Sequence, residues 1–231
     1  MIHLLWCTIR PKVFINSYKE WIKRSKNQSQ IDISVCVNTY EQKKELNSVF
    51  PEMNVSVTDK PDRIGVAYPS YFLSSRLNLN DDDIVVFASD DFIPPPNWDT
   101  YIIDKLTGRT GCLMVNDGYQ AIDFSNMAEP VFSIPIMTYS ALLKLNKIIY
   151  NPVYNHLCSD AELYLNAKEL GLIIDERKNI SEWVFEHHHW SNGKRSADGN
   201  DQNYYSKFES DKKVWELRKN LPLNERLVVS I

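Results

Sequence analysis

Glycine is scarce in this chain, seven residues in 231, and the N-terminal segment has no glycine-rich loop of the kind that cradles phosphates at a helix N-terminus. That argues against a nucleotidyltransferase that opens on such a loop. Cysteine is scarcer still: Cys7, Cys36, Cys112 and Cys158 are widely spaced, with no Cys-x-x-Cys pair. The spacing argues against a cysteine-based metal site, and it suits a reducing cytosol, since three of the four lie in apolar stretches where cysteine behaves as a small hydrophobe. No His-Glu-x-x-His sequence is present to place two imidazoles on one helix face. Long hydrophobic runs are missing too. The apolar run before Arg10-Pro11 is too short for a signal-peptide core or a membrane span, so a soluble, unexported, cytoplasmic protein without membrane insertion is expected. With 26 basic residues against 30 acidic ones and a net charge of -4, there is no basic excess to coat nucleic acid, although Lys23-Arg24 and Lys212-Lys213 form local basic clusters. No internal repeat or low-complexity segment is visible.

What is present is enough apolar material for one sizeable core. Hydrophobic residues make up 43% of the chain and aromatics 12%, which excludes disorder, and a single α/β domain of this length is ordinary. The chain is organised around the stretch from Asp81 to Trp98. There Ile84-Val85-Val86-Phe87-Ala88 is bounded by acids on one side and by Ser89-Asp90-Asp91-Phe92 and a triple proline on the other, which predicts a short buried strand. The acids at its exit are held at a sheet edge, where two neighbouring carboxylates repel unless a cation or hydrogen bonds compensate. Asp also favours turns, so the pair alone does not decide between a turn and a cation site.

The rest of the first half alternates. Ile2 to Ile9 predicts a strand, and Phe14, Tyr18, Trp21 and Ile22 recur at helical spacing. Ile31 to Val37 predicts a second strand, Glu41 to Ser48 a short helix, Asn54 to Thr58 a third strand, and Tyr68 to Leu77 a helix leading into the central strand. This β–α order predicts a Rossmann-like, mostly parallel sheet with its ligand crevice at the carboxyl ends of the strands. Thr8, Arg10, Asn38, Asp59, Asp90 and Asp91 gather there. After a helix from Trp98 to Leu106 the alternation breaks. Gly111 to Val115 and Val131 to Met137 read as strands, Tyr139 to Leu145 as the start of a helix, and Ser159-Asp160 as the N-cap of a helix over Ala161 to Leu170. Ile173-Ile174 and Trp183-Val184-Phe185 read as short strands.

Glu186-His187-His188-His189-Trp190 follows the last of these. In an extended chain His187 and His189 share one face and His188 takes the other, and neutral imidazole is a metal ligand. Asp160 is explained by helix capping alone, at about 1 kcal/mol.

Taken in order, strand-Thr-x-Arg, strand-Asn, strand-Asp, Ser-Asp-Asp-Phe-x-Pro, Ser-Asp-Ala-Glu-Leu before a helix and Glu-His-His-His resemble the GT-A glycosyltransferases, specifically the family-2 inverting enzymes, over about residues 2 to 204. The resemblance implies a single GT-A domain over 1–231 with a mixed, mostly parallel central sheet flanked by helices. Within it, 1–110 is a nucleotide-binding half, 111–190 an acceptor half and 191–231 a C-terminal lid or tail. It also implies a nucleotide-sugar donor, UDP-linked by preference, and Mn²⁺ or Mg²⁺ held by Asp91 with His187 or His189. Thr8, Arg10, Asn38, Asp59, Arg63, Asp90 and Lys194 become the donor-binding set, with Asp90 on ribose or sugar and Lys194 on phosphate, in a tail that runs on to Asp201-Gln202-Asn203-Tyr204. Asp160 becomes the general base of an inverting transfer to a hydroxyl. Two departures from the family pattern leave open which Asp and which His touch the metal: Ser-Asp-Asp lacks an acid two places earlier, and His-His-His-Trp stands where His-x-His-Pro is usual. A glycan is the first acceptor class. A hydroxymethylated DNA base is the second, as with some phage enzymes of this fold, and a phage origin would place the protein in the host cytoplasm. A nucleotide-sugar-binding module without turnover is the non-enzymatic alternative.

Overall fold

The computed structural model of the chain describes residues 1–63, 65–119, 130–178, 182–199 and 206–229. Strand β1 (Ile2–Cys7) is followed by helix α1 (Pro11–Lys23), which opens on a proline where the missing N–H would have had no intrahelical partner in any case. Strand β2 (Ile31–Val37) leads into α2 (Tyr40–Val49). Its start is set by a capping box: the Thr39 side chain accepts from the Gln42 backbone N–H, and the Gln42 side chain returns to the Thr39 N–H. Then come β3 (Asn54–Val57), α3 (Ala67–Ser74), the central strand β4 (Ile84–Ala88), β5 (Phe92–Ile93) and α4 (Trp98–Leu106). The second half holds β6 (Cys112–Met114), β7 (Ile136–Thr138), α5 (Tyr139–Lys144), α6 (Ser159–Glu169), β8 (Ile173–Asp175), β9 (Glu186–His187), α7 (Phe208–Arg218) and α8 (Leu223–Arg226).

Among the described residues seven strands form one sheet in the order β3-β2-β1-β4-β7-β6-β8, and β5 pairs with β9 in a small second sheet. β1 to β4 run parallel, β7 is antiparallel to both its neighbours, and β6 and β8 are parallel to each other. All five residues of β4 are buried, as expected of a strand covered on both faces. Val85 and Phe87 pack into the core shared with Phe72, Tyr150 and Leu163, whereas Ile84, Val86 and Ala88 pack into the opposite core with Trp6, Phe14, Trp21 and Trp98. This is the period-two alternation of a pleated strand between two helical layers. The parallel strands therefore deliver the residues that follow them to one edge.

Three expectations need correction. The run from Val131 to Met137 is strand only at its end, because only Ile136 to Thr138 find partners across β4 and β6. Trp183 to Phe185 contributes one isolated bridge, Val184 to Asn116, and regular pairing starts at Glu186 opposite Ile93. Asp160 is not the cap of its helix. Cys158 occupies that position with φ +65°, so Ser159 and Asp160 lie inside the first turn.

Candidate functional site

A cleft of about 210 Å³ opens at the carboxyl ends of β1, β2 and β4 and is also lined by the start of α6. Thr8, Arg10, Asn38, Asp90, Asp91, Asp160, His187 and His189 all line it. Eight of the eleven side chains expected at the site are thus brought together from five separate stretches of sequence.

At its floor the adjacent carboxylates of Asp90 and Asp91 point to different partners. Asp90 accepts from the Trp6 indole (2.8 Å) and the Thr8 hydroxyl (2.9 Å), with the Arg10 guanidinium 3.5 Å away. Burial pushes its carboxyl up to about 6, against the opposing pull of Arg10 and the two donors. Burial acts on Asp91 in the same direction. There, however, the donors win: His187 Nε2 stands 3.4 Å from Oδ2 and Ser89 Oγ donates to Oδ1 at 2.6 Å, and together they hold the carboxyl well below the usual carboxylate range. The backbone reinforces the pair. His187 faces Phe92 across β5 and β9, its ring stacked on the phenyl at 4.2 Å, and the His188 N–H donates to the Asp91 carbonyl.

His187 is buried, and on its other side Nδ1 lies 3.9 Å from Oδ2 of the fully buried Asp117. The ring therefore stands between two carboxylates, one in the cleft and one behind it. His189 lies beside it, ring centroids 5.2 Å apart, with Nδ1 engaged by Ser191 at 2.6 Å. His188 turns outward to Glu186, so the expected alternation of the three imidazoles holds. Asp160, also in the cleft lining, accepts from the Ala161 N–H, and burial raises its carboxyl above the ordinary value against the pull of the neighbouring amides and His187.

The remaining three expected residues lie elsewhere among the described contacts. Asp59 accepts from Tyr68 Oη at 2.7 Å, Arg63 donates to the Pro152 carbonyl at 2.7 Å, and Lys194 reaches Glu186 at 3.3 Å; none lines the cleft. The cation of the tail that does line it is Arg195. Gly193, at φ +75°, ends the turn Trp190–Asn192 and redirects the chain, so which of two successive cations faces inward depends on a turn that charge pattern does not reveal. Arg10 also meets Asp198 of the tail at 3.2 Å. Asp201-Gln202-Asn203-Tyr204 lies outside the described residues. Asp117, Tyr150 and His156 were also missed; a buried acid behind a histidine has no local sequence signature. Among the described residues, no three His, Cys, Asp or Glu side chains stand close enough together to hold an ion by themselves.

No protein-family model and no curated protein sequence matches this chain. Solved structures do match in shape. Glucosyl-3-phosphoglycerate synthase from Mycobacterium tuberculosis, in complex with phosphoglyceric acid, superposes with a TM-score of 0.60 at 13% identity, over 100% of this chain and 81% of that one. TarS residues 1–349 from S. aureus in complex with UDP superposes at 0.57 with 12% identity, over 97% and 76%. GalNAc-T7 with UDP, GalNAc and Mn²⁺ superposes at 0.60 with 9% identity, over 96% and 52%. These neighbours are nucleotide-sugar-dependent glycosyltransferases of the GT-A type, and the chain has their fold: a Rossmann-like, mostly parallel sheet flanked by helices.

Proposed function

We propose that this chain is a metal-dependent glycosyltransferase that moves a sugar from a nucleotide-sugar donor, UDP-linked by preference, to a hydroxyl acceptor with inversion. The observation that carries the reading is the meeting of Asp91 and His187 at 3.4 Å in a cleft that Asp160 also lines. Neighbours of this fold have been solved with UDP, with UDP-GlcNAc, and with GDP-Man and Mn²⁺, which supports the donor class.

The donor atoms fit a divalent ion. A carboxylate oxygen beside an imidazole nitrogen suits Mn²⁺ better than Mg²⁺, since imidazole favours the transition metals. Asp117 Oδ2, 3.9 Å behind Nδ1, stands on the side where an outer carboxylate commonly orients a ligating histidine. Two protein ligands are enough for an ion that takes its other ligands from substrate phosphates and water. His189 is adjacent as a second imidazole. When bound, such an ion offsets the charge that develops on a departing diphosphate.

The chain's own residues do the rest. Thr8 and Arg10 brace Asp90 at the floor of the donor side, Asn38 stands at the exit of β2, and Arg195 supplies the tail's cation on the diphosphate side, the role first expected of Lys194. Asp160 takes the proton of the acceptor hydroxyl as it attacks, and its raised proton affinity makes it a better base than an exposed carboxylate. A single displacement from the face opposite the diphosphate inverts the anomeric centre. The test is release of nucleoside diphosphate from a panel of nucleotide sugars with Mn²⁺ and a set of hydroxyl acceptors, hydroxymethylated DNA included. Release with one donor, abolished by EDTA, is expected. Binding of the nucleotides without release from any donor would instead leave a binding module.

A further inference from the structure

The C-terminal helix α7 carries a carboxylate with no place in the chemistry above. Asp211 is fully buried, yet it sits in a helix that is otherwise largely exposed. Its Oδ1 accepts from the backbone N–H and the side-chain amide of Asn155, both at 2.9 Å, and its Oδ2 accepts from the N–H groups of His156 and Leu157, both at 2.9 Å. Four donors converge on one carboxylate, three of them consecutive backbone amides that no helix or strand satisfies. Such a concave nest of amides needs an anion, and the chain provides it from 54 to 56 residues downstream.

The segment so held is part of the cleft wall. His156 and Leu157 line the cavity, Cys158 follows in the left-handed conformation, and Asp160 comes two residues later. The same segment also grips the donor side. The Asn155 carbonyl lies so close to Gly65 that a Cβ there would come within 1.6 Å of its oxygen, and the Val66 N–H donates to His156 Nδ1 at 3.3 Å. A second tie further along α6 is independent of the first: Arg218 of α7 makes a two-pronged ion pair with the buried Glu162, which also accepts from Tyr154 Oη. Glu162 secures the body of α6, and Asp211 secures the approach to its first turn.

We infer that Asp211 is a positioning residue for the transfer: by binding the amides of residues 155 to 157 it sets where Asp160 stands relative to the donor side of the cleft. This rests on the reading of Asp160 as the base. It makes α7 a support behind the wall of the site, more than a tail that covers it.

Asp211→Asn in the full chain tests this, because it keeps the shape but turns an amide donor toward donors. With Mn²⁺ and the donor that the wild type uses, turnover is expected to fall about 100-fold, the scale of a misplacement near 1 Å, with KM for the donor and the affinity for nucleoside diphosphate within about twofold. Hydrogen exchange is the second readout: the amides of Asn155, His156 and Leu157 are expected to exchange at least about tenfold faster in the variant, while those in the middle of α6 keep their protection through Glu162 and Arg218. Wild-type turnover in the variant, or unchanged protection of the three amides, overturns the proposal. If the variant does not fold, exchange in the wild type decides: protection of the three amides equal to that of α7 supports it, and open-loop rates overturn it. A wild type that turns over no donor refutes the transferase reading alone, since the exchange arm still reports whether Asp211 holds the wall.

Discussion

Asp90 and Asp91 are neighbours in sequence with opposite proton affinities, and the cause is geometric. Both are desolvated, but only Asp91 faces an imidazole and a hydroxyl close enough to outweigh burial. The pair thus divides into a braced group at the floor and an ionised one facing the cleft. Asp160 is desolvated, and its burial outweighs the backbone amides of Asp160 and Ala161 and the nearby His187, which favour its charge. Asp160→Asn is expected to lower turnover by about 10²- to 10⁴-fold, the usual worth of a positioned base, with nucleoside diphosphate affinity unchanged in a calorimetric titration. The sign of the pH dependence follows. The base works ionised, and its proton affinity is raised, so kcat/KM in the wild type falls as pH drops through a midpoint above that of an exposed aspartate. A midpoint at or below about 3.9 would count against Asp160 as the base. The acids and the histidines were legible as residue types at strand exits. Asp117 and Arg195 were not, because their roles depend on which side of a turn they face.

At the scale of elements, the joint between α1 and α4 holds the floor of the site from outside. The side chain of the buried Asp99, in the first turn of α4, accepts from the N–H groups of Lys26 and Asn27 at 2.8 and 2.7 Å just past the end of α1. Nearby, the Trp98 indole donates to the Trp21 carbonyl, and the Trp21 indole donates to the carbonyl of Phe92, the residue whose ring stacks on His187. Asp99→Ala leaves two part-buried amides without their acceptor and is expected to cost about 1–3 kcal/mol, from about 0.5–1.5 kcal/mol for each hydrogen bond lost. Urea unfolding would measure it, and a loss under 0.5 kcal/mol would show that water replaces the carboxylate. The helices themselves were readable from spacing. Trp98–Leu106 and the strands Ile31–Val37 and Ile84–Ala88 have the bounds the sequence predicted, because each is delimited by prolines, acids or a change of period. Asp99 as a brace was not readable, since its partners lie some 70 residues away.

At the scale of the molecule, the proposed function would couple nucleotide and cation in the cleft. Two protein ligands would bind an ion weakly, and a diphosphate beside Asp91 and His187 would complete its shell, so each ligand should tighten the other. UDP and Mn²⁺ together are expected to raise the thermal midpoint by more than the sum of their separate effects. Nucleotide at 100 times its Kd is worth about 2.7 kcal/mol. Asp91→Asn should reduce the combined shift to that sum. Additive shifts in the wild type would mean that the ion binds elsewhere.

The sequence by itself determined the layered α/β architecture, the parallel strands of the first half, and the kinds of side chain brought to one edge, because strand exits and helix starts are written in residues a few positions apart. Only the tertiary structure decided which of those groups meet. It joined Asp91 to His187 and left Asp59, Arg63 and Lys194 outside the cleft, and it moved Asp160 from the cap into the first turn of its helix. It also placed Asp211 under the loop before that helix. Those outcomes depend on strand order and on turns such as Gly193, which bring together residues 50 to 100 positions apart and which no short-range pattern encodes.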